Sequence, residues 1–212
     1  MRKITSWVGP VILLSIVSAG LSLAQQAPPG AGGPAGGGPG AGGRGPGGPP
    51  APPLRIMSPD LTDGAPIPQQ FTCAAGAAAV SPSLQWTNAP RGTMSFALIV
   101  HDMEPRPQMK IDDILHWMVW NIPLGATKFP QGVPANTGEL PDGSHQTNGN
   151  PGQGGITGYR PPCAPQNVPV PHHYAFELFA LDTKADLPET ATRADLMKVM
   201  DGHILGHASL VV

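Results

Sequence analysis

Ile114-Leu-His-Trp-Met-Val-Trp-Asn-Ile122 is rich in β-branched and aromatic residues and stops at Pro123, which reads as a β-strand. Two further long runs share this character. Met94-Ser-Phe-Ala-Leu-Ile-Val-His101 follows the turn-forming Ala89-Pro-Arg-Gly92, and His172-His-Tyr-Ala-Phe-Glu-Leu-Phe-Ala-Leu181 stops at Asp182. Shorter strand candidates are Leu54 to Met57, Gln70 to Thr72, Leu84 to Thr87 and His207 to Val212. Helical period is clear in one place, at Ala194, Leu196, Met197, Val199 and Met200, with Thr190 and Thr192 as possible caps. A second short helix is expected at Ala185 to Leu187. Short strands with few helices predict a mainly β fold, an antiparallel sandwich of a large and a small sheet with one or two short helices near the C-terminus.

Alternation along the strands assigns faces. His172, Tyr174, Phe176 and Leu178 share one face of the third run, with His173 and Glu177 on the other. Asp102 continues the face of Phe96, Leu98 and Val100, and strict alternation puts His116 with Ile114, Met118, Trp120 and Ile122. Polar residues at the ends of apolar faces predict a binding pocket at one end of the sandwich. From Gly125 to Pro171 the chain is rich in Gly, Pro, Asn and Ser with little periodicity, as functional loops often are.

The start of the chain has a different logic. Met-Arg-Lys precedes an uncharged, mostly apolar stretch around Val11 to Val17 and then Ser22-Leu23-Ala24, the order of a secretory signal with cleavage expected after Ala24. An uncleaved anchor is the alternative, though Gly9, Pro10 and Gly20 make a poor spanning helix. Gln25 to Pro53 is almost entirely Gly, Pro and Ala. With no larger apolar side chain to bury, it is expected to be a disordered tether. About 160 residues from Leu54 to Val212 remain, enough for one domain with its own core. A net charge of −2 with no basic stripe argues against a nucleic-acid partner, and no later segment is apolar enough to span a membrane. In an exported chain the two cysteines, Cys73 and Cys163, are disulfide candidates, a pairing that requires their Cα atoms to lie within bridging distance.

Several blocks then carry a family likeness. They are Val80-Ser-Pro-Ser-Leu-Gln-Trp86, Ser95-Phe-Ala-Leu-Ile-Val100 running into His101-Asp-Met-Glu-Pro105, and His116-Trp-Met-Val-Trp-Asn-Ile-Pro123. Gly158-Tyr-Arg-Pro-Pro-Cys-Ala-Pro165, Pro171-His-His-Tyr-Ala-Phe176 and Gly202-His-Ile-Leu-Gly-His-Ala-Ser-Leu210 complete the set. In this order the chain resembles the phosphatidylethanolamine-binding protein family, which includes the Raf kinase inhibitor proteins, and its bacterial branch in particular. The resemblance implies a large antiparallel sheet packed on a smaller one, with an anion-accepting pocket at one end. Carried over by position, the pocket residues are Asp102, His116, His172, Tyr159, Pro165 and Tyr174, with Glu104 at the second acidic position of the family's Asp-Pro-Asp block. Met103 stands where that block has Pro, Ala164 where Pro is common and His173 where Arg is common, so the wall from Met103 to Pro107 departs from the pattern.

A pocket of imidazoles suits a small anion or phospholipid headgroup, because the rings donate hydrogen bonds and take up a proton near neutrality. The expected function is an exported, periplasmic or secreted binding protein for phosphate-like ligands, with affinity rising below about pH 6.5, the unperturbed His value. A regulator of a partner enzyme such as a protease or kinase, as some members of the family are, is the alternative from another class. A metal-assisted hydrolase using His116, His172, His173, Asp102 or Glu104 is the third. No His-Glu-x-x-His, nucleophile-elbow or phosphate-loop pattern occurs, so a non-enzymatic chain without a cofactor is expected.

Overall fold

The computed structural model describes residues 50–104, 113–147, 155, 157–163 and 171–212. The signal segment, most of the tether, Pro165 and the stretch from Pro105 to Pro107 lie outside them. β1 (Arg55–Met57), β2 (Leu84–Thr87) and β5 (Lys128–Phe129) form a three-stranded antiparallel sheet in the order β1-β2-β5. β3 (Ser95–Asp102), β4 (Ile114–Pro123), β6 (His145–Gln146), β7 (Tyr174–Leu181) and β8 (Ile204–Val211) form a five-stranded antiparallel sheet in the order β6-β4-β3-β7-β8. The architecture is the expected sandwich of a large and a small sheet.

β3 lies at the centre of the large sheet, and every one of its residues is buried. Phe96, Leu98 and Val100 face the core shared with Leu84 and Trp86 of β2 and Phe129 of β5. Ala97 and Ile99 face the opposite side, where Leu196 and Met200 pack. Those two belong to α1 (Arg193–Met200), the single α-helix among the described residues. They are four apart and so share one side of the helix. Burying one such side chain is worth about 1.5–3 kcal/mol. Thr192 begins α1 with a reciprocal capping box to Asp195.

Strict alternation fails along β4, which has two bulges. Val100 pairs with Trp117 but His101 with Leu115, leaving His116 as the extra residue; the register slips again between Leu98↔Val119 and Phe96↔Ile122. A bulge reverses which face the following residues occupy. Met118 and Trp120 therefore lie on the α1 side, while Trp117, Val119 and Ile122 face the small sheet. His116 approaches Tyr174, on the small-sheet side. It does not share a face with Met118 and Trp120.

The second bulge contains Asn121, whose φ is 55°, a conformation that Asn tolerates better than most residues. Its amide hydrogen-bonds Ala185 twice, Nδ2 donating to the Ala185 carbonyl and Oδ1 accepting from the Ala185 N–H, both at 2.8 Å. Ala185 to Leu187 is irregular loop, pinned to β4 through Ala185, not the second helix expected there. Asn121→Ala should lose both bonds and place Ala at positive φ, lowering stability by about 2 kcal/mol. Asn121→Gly keeps the backbone relaxed and should cost about 1 kcal/mol. Urea unfolding midpoints test this, and equal losses would remove the backbone part of the account.

Gln70 to Thr72, expected as a strand, forms instead the end of a 3-10 turn, Gln69–Phe71, and the Thr72 cap that leads into 3-10 structure kinked at Gly76, Cys73–Ala78. Pro68 starts the first turn, and the Ala-rich second has no β-branched side chain to favour extension. A disulfide joins Cys73 to Cys163 with a Cα–Cα distance of 5.2 Å.

Candidate functional site

The site is built where β3 ends between the first residues of its neighbours. Asp102 pairs in register with Ile114 of β4 and Tyr174 of β7, so the acid, the aromatic and nearby His116 and His172 gather at one end of the large sheet. The ladder runs one step beyond the strands, with the Met103 N–H donating to the His173 carbonyl at 2.8 Å. Asp102, His116 and Tyr174 are buried, and His172 is partly so.

Each imidazole is held by one nitrogen. His172 Nδ1 donates to Asp102 Oδ2 at 2.7 Å, and the other oxygen of Asp102 accepts the Glu104 N–H at 3.0 Å. His116 Nδ1 donates to the Arg160 carbonyl at 2.8 Å. A carbonyl and a carboxylate only accept, so in both rings Nδ1 carries the hydrogen. The neutral tautomer then has its lone pair on Nε2, and only a second proton makes Nε2 a donor. The two rings flank Tyr174, with centroids 5.2 Å and 6.5 Å from it.

Electrostatics sharpen these roles. Burial holds His116 below the ordinary imidazole pKa, a shift opposed by its hydrogen bond to the Arg160 backbone and by Asp102, and aided by the Arg160 and His101 charges. Burial, reinforced by the Asp102 charge and opposed by Arg160, pushes Tyr174 up to about 12. Its phenol therefore remains a neutral donor across the physiological range.

Tyr159 is placed differently. Its ring packs edge-on against Trp117, with centroids 5.7 Å apart, and its hydroxyl donates to the Phe71 carbonyl at 2.8 Å. That commits its hydrogen to the fold and makes it a wall and brace rather than a donor. Burial raises its pKa. Glu104 pairs at the rim with His173, Oε1 lying 2.6 Å from Nδ1, so the imidazole that stands where the family commonly has Arg meets the acid at the second position of the block. Pro165 lies outside the described residues. Arg160, absent from the sequence-based set, exchanges two bonds with His116, its N–H also donating to the His116 carbonyl at 2.7 Å. Among the described residues no cluster of three or more His, Cys, Asp or Glu side chains is arranged to hold a metal ion.

A second titratable cluster lies on the α1 side of the sheet. His101 places Nδ1 2.6 Å from Asp113 Oδ2 and Nε2 3.0 Å from Glu177 Oε2, Asp113 also accepts from Arg193, and Glu177 Oε1 meets His207.

The two packed sheets define a β-rich sandwich domain. The chain belongs to the phosphatidylethanolamine-binding protein family, whose model matches residues 57–212. That family is one of binding proteins, not of enzymes. Its relatives include a UPF0098 protein of Methanothermobacter thermautotrophicus, 40% identical over 149 residues that cover 70% of this chain and 90% of the relative. LppC of Mycobacterium tuberculosis, named as a candidate lipoprotein, is 36% identical over 163 residues, 77% of this chain and 73% of the relative. Among solved structures, Escherichia coli YbcL, described as a member of the mammalian PEBP family, superposes with a TM-score of 0.64 at 26% identity, covering 74% of this chain and 95% of YbcL. Among the described residues no helix is long and apolar enough to cross a membrane.

Proposed function

We propose that this chain is an exported binding protein for small anions of the phosphate or phospholipid-headgroup type. The observation that carries the reading is the shared tethering of His116 and His172. Fixed acceptors take both Nδ1 hydrogens, at 2.8 Å and 2.7 Å, leaving Nε2 of each ring for a ligand beside the Tyr174 phenol. Phosphate suits such a site in two ways. A protonated phosphate oxygen donates to a neutral Nε2, and an unprotonated one accepts from an imidazolium. The family's name supports the ligand class. The signal-like start and a relative named as a candidate lipoprotein support export.

The tautomer argument gives a pH dependence with a definite sign. An anion without an acidic hydrogen, such as sulfate, needs a protonated Nε2, so it should bind with proton uptake. Because burial depresses the His116 pKa, the proton is missing from the free protein near neutrality. Sulfate affinity should then rise as pH falls, about tenfold per unit until that pKa is passed. Calorimetric titration in buffers of different ionisation enthalpy counts the protons taken up; zero uptake with tight sulfate binding would sink the assignment. His116→Ala should weaken inorganic phosphate about 10- to 100-fold, the worth of a charge-assisted hydrogen bond. An unchanged affinity would move the site elsewhere.

A further inference from the structure

We infer that the Cys73–Cys163 disulfide is a positioning lock on His116, and that its reduction lowers the affinity of the site for anions. The affinity half rests on the anion-binding reading above, whereas the positioning half rests on geometry alone.

Three links zip residues 71–73 to residues 159–163. The Tyr159 hydroxyl donates to the Phe71 carbonyl at 2.8 Å, the Cys73 N–H donates to the Pro162 carbonyl at 2.9 Å, and the disulfide closes the end with Cα atoms 5.2 Å apart. Arg160 lies inside this zipped segment and holds His116 through both of its own backbone groups, by N–H to carbonyl at 2.7 Å and by carbonyl to Nδ1 at 2.8 Å. The backbone carbonyl of Arg160 thus selects the His116 tautomer, and the bridge fixes the segment that presents it. A carbonyl displaced by about 1 Å leaves hydrogen-bonding range, so modest loosening suffices to free the ring.

Both cysteines are exposed to solvent, although the residues they brace, Phe71, Tyr159 and His116, are buried. The bridge is therefore open to a dithiol reductant while its effect is felt inside. One thiolate of the dithiol attacks a bridge sulfur and forms a mixed disulfide; its second thiol displaces the protein sulfur. Two electrons pass to the bridge, Cys73 and Cys163 take up the two protons as thiols, and the dithiol leaves as a disulfide. The site is weakened by reduction and restored by reoxidation.

The experiment uses the full chain, labelled with nitrogen-15, before and after dithiothreitol and again after reoxidation. The imidazole nitrogens of His116 are followed by NMR and inorganic phosphate is titrated in parallel. The oxidised protein should show His116 held as the Nδ1–H tautomer. The reduced protein should show averaged tautomers and about tenfold weaker phosphate binding, the loss of one oriented hydrogen bond. Tyr159→Phe removes one link with the bridge intact and should move the His116 signals part of the way. Unchanged His116 signals in the fully reduced chain would overturn the lock. Collapse of the dispersed tryptophan indole signals on reduction would also overturn it, because the bridge would then support the fold as a whole. A responsive His116 with no phosphate binding in either state would overturn the affinity half together with the anion reading and leave the positioning lock standing.

Discussion

Trp117→Ala should lower the unfolding free energy by about 4–8 kcal/mol, a large share of the roughly 5–15 kcal/mol that holds an ordinary domain together. Trp117 is fully buried in the core between the two sheets. Its ring packs on Phe129 of β5 and on Tyr159, each with a centroid distance of 5.7 Å, so one side chain from the large sheet contacts the small sheet and the wall of the site. Removing a buried Trp or Phe costs about 3–5 kcal/mol through lost transfer energy and the cavity left behind. A second cost is polar. The indole Nε1 donates to Gln146 Oε1 at 2.8 Å, while Gln146 Nε2 is committed to the carbonyls of Pro134 and Thr137. Gln146 is itself fully buried, so the truncation strands its oxygen, a penalty of about 1–3 kcal/mol.

Trp117→Phe separates the two costs. It keeps most of the packing and loses the donor, so about 1–3 kcal/mol should disappear. The ordering Ala far worse than Phe, read from urea unfolding, tests the assignment. Equal losses would mean that the hydrogen bond to Gln146 dominates and the inter-sheet packing contributes little.

β3 and β7 were legible because nothing interrupts their period of two. Asp102, Val100, Leu98 and Phe96 on one strand, and Tyr174, Phe176 and Leu178 on the other, face the same core that alternation assigns them. β4 was not legible in this way. Its extra residues at His116 and Asn121 shift the register without a glycine or proline to mark either place; Asn121, tolerant of positive φ, was the only local hint. His116, whose face alternation misassigns, is brought towards Tyr174 by the bulge. Asp102, His116, His172 and Tyr174 were identified through the family blocks, and the structure gathers them at one end of the sheet. Arg160 escaped because its role is carried by a backbone carbonyl and N–H, which have no signature in side-chain chemistry. Family position makes Tyr159 a pocket residue, yet the direction of its hydroxyl depends on the Phe71 carbonyl, 88 residues away in sequence, a relation that no local pattern encodes.

His101→Leu should cost about 2–3 kcal/mol at pH 7, and the loss should shrink as the solution is acidified. The ring lies between Asp113 and Glu177, with both nitrogens against carboxylate oxygens at 2.6 Å and 3.0 Å. Doubly protonated, it donates to both. For Asp113, burial works to raise the pKa but is outweighed by the hydrogen bond and charge of Arg193 and then those of His101, leaving it below the ordinary carboxylate value. The His101 hydrogen bond is the largest influence on Glu177, also held low against the opposing effect of burial, with the His101, His207 and Arg193 charges adding to it. Carboxyls depressed in this way contribute stability above their unfolded pKa, near 4, and lose it as pH falls through the folded value. Breaking a buried pair costs about 3–5 kcal/mol, reduced here because the Asp113 and Glu177 side chains keep 27% and 23% of their exposure. In His101→Leu both carboxyl pKa values should climb, Asp113 less because Arg193 remains, and acid unfolding should begin at higher pH. Urea unfolding at pH 7 and pH 3 separates charge from shape: at pH 3, below the unfolded carboxyl pKa, the stability that the depressed carboxyls contribute to the parent chain is partly lost and the gap to the variant narrows. Adding Glu177→Gln to His101→Leu should recover part of the pH 7 loss by removing one stranded charge. A deficit that is the same at both pH values, and unmoved by Glu177→Gln, would assign the cost to packing and leave the imidazole without an electrostatic role between the strands.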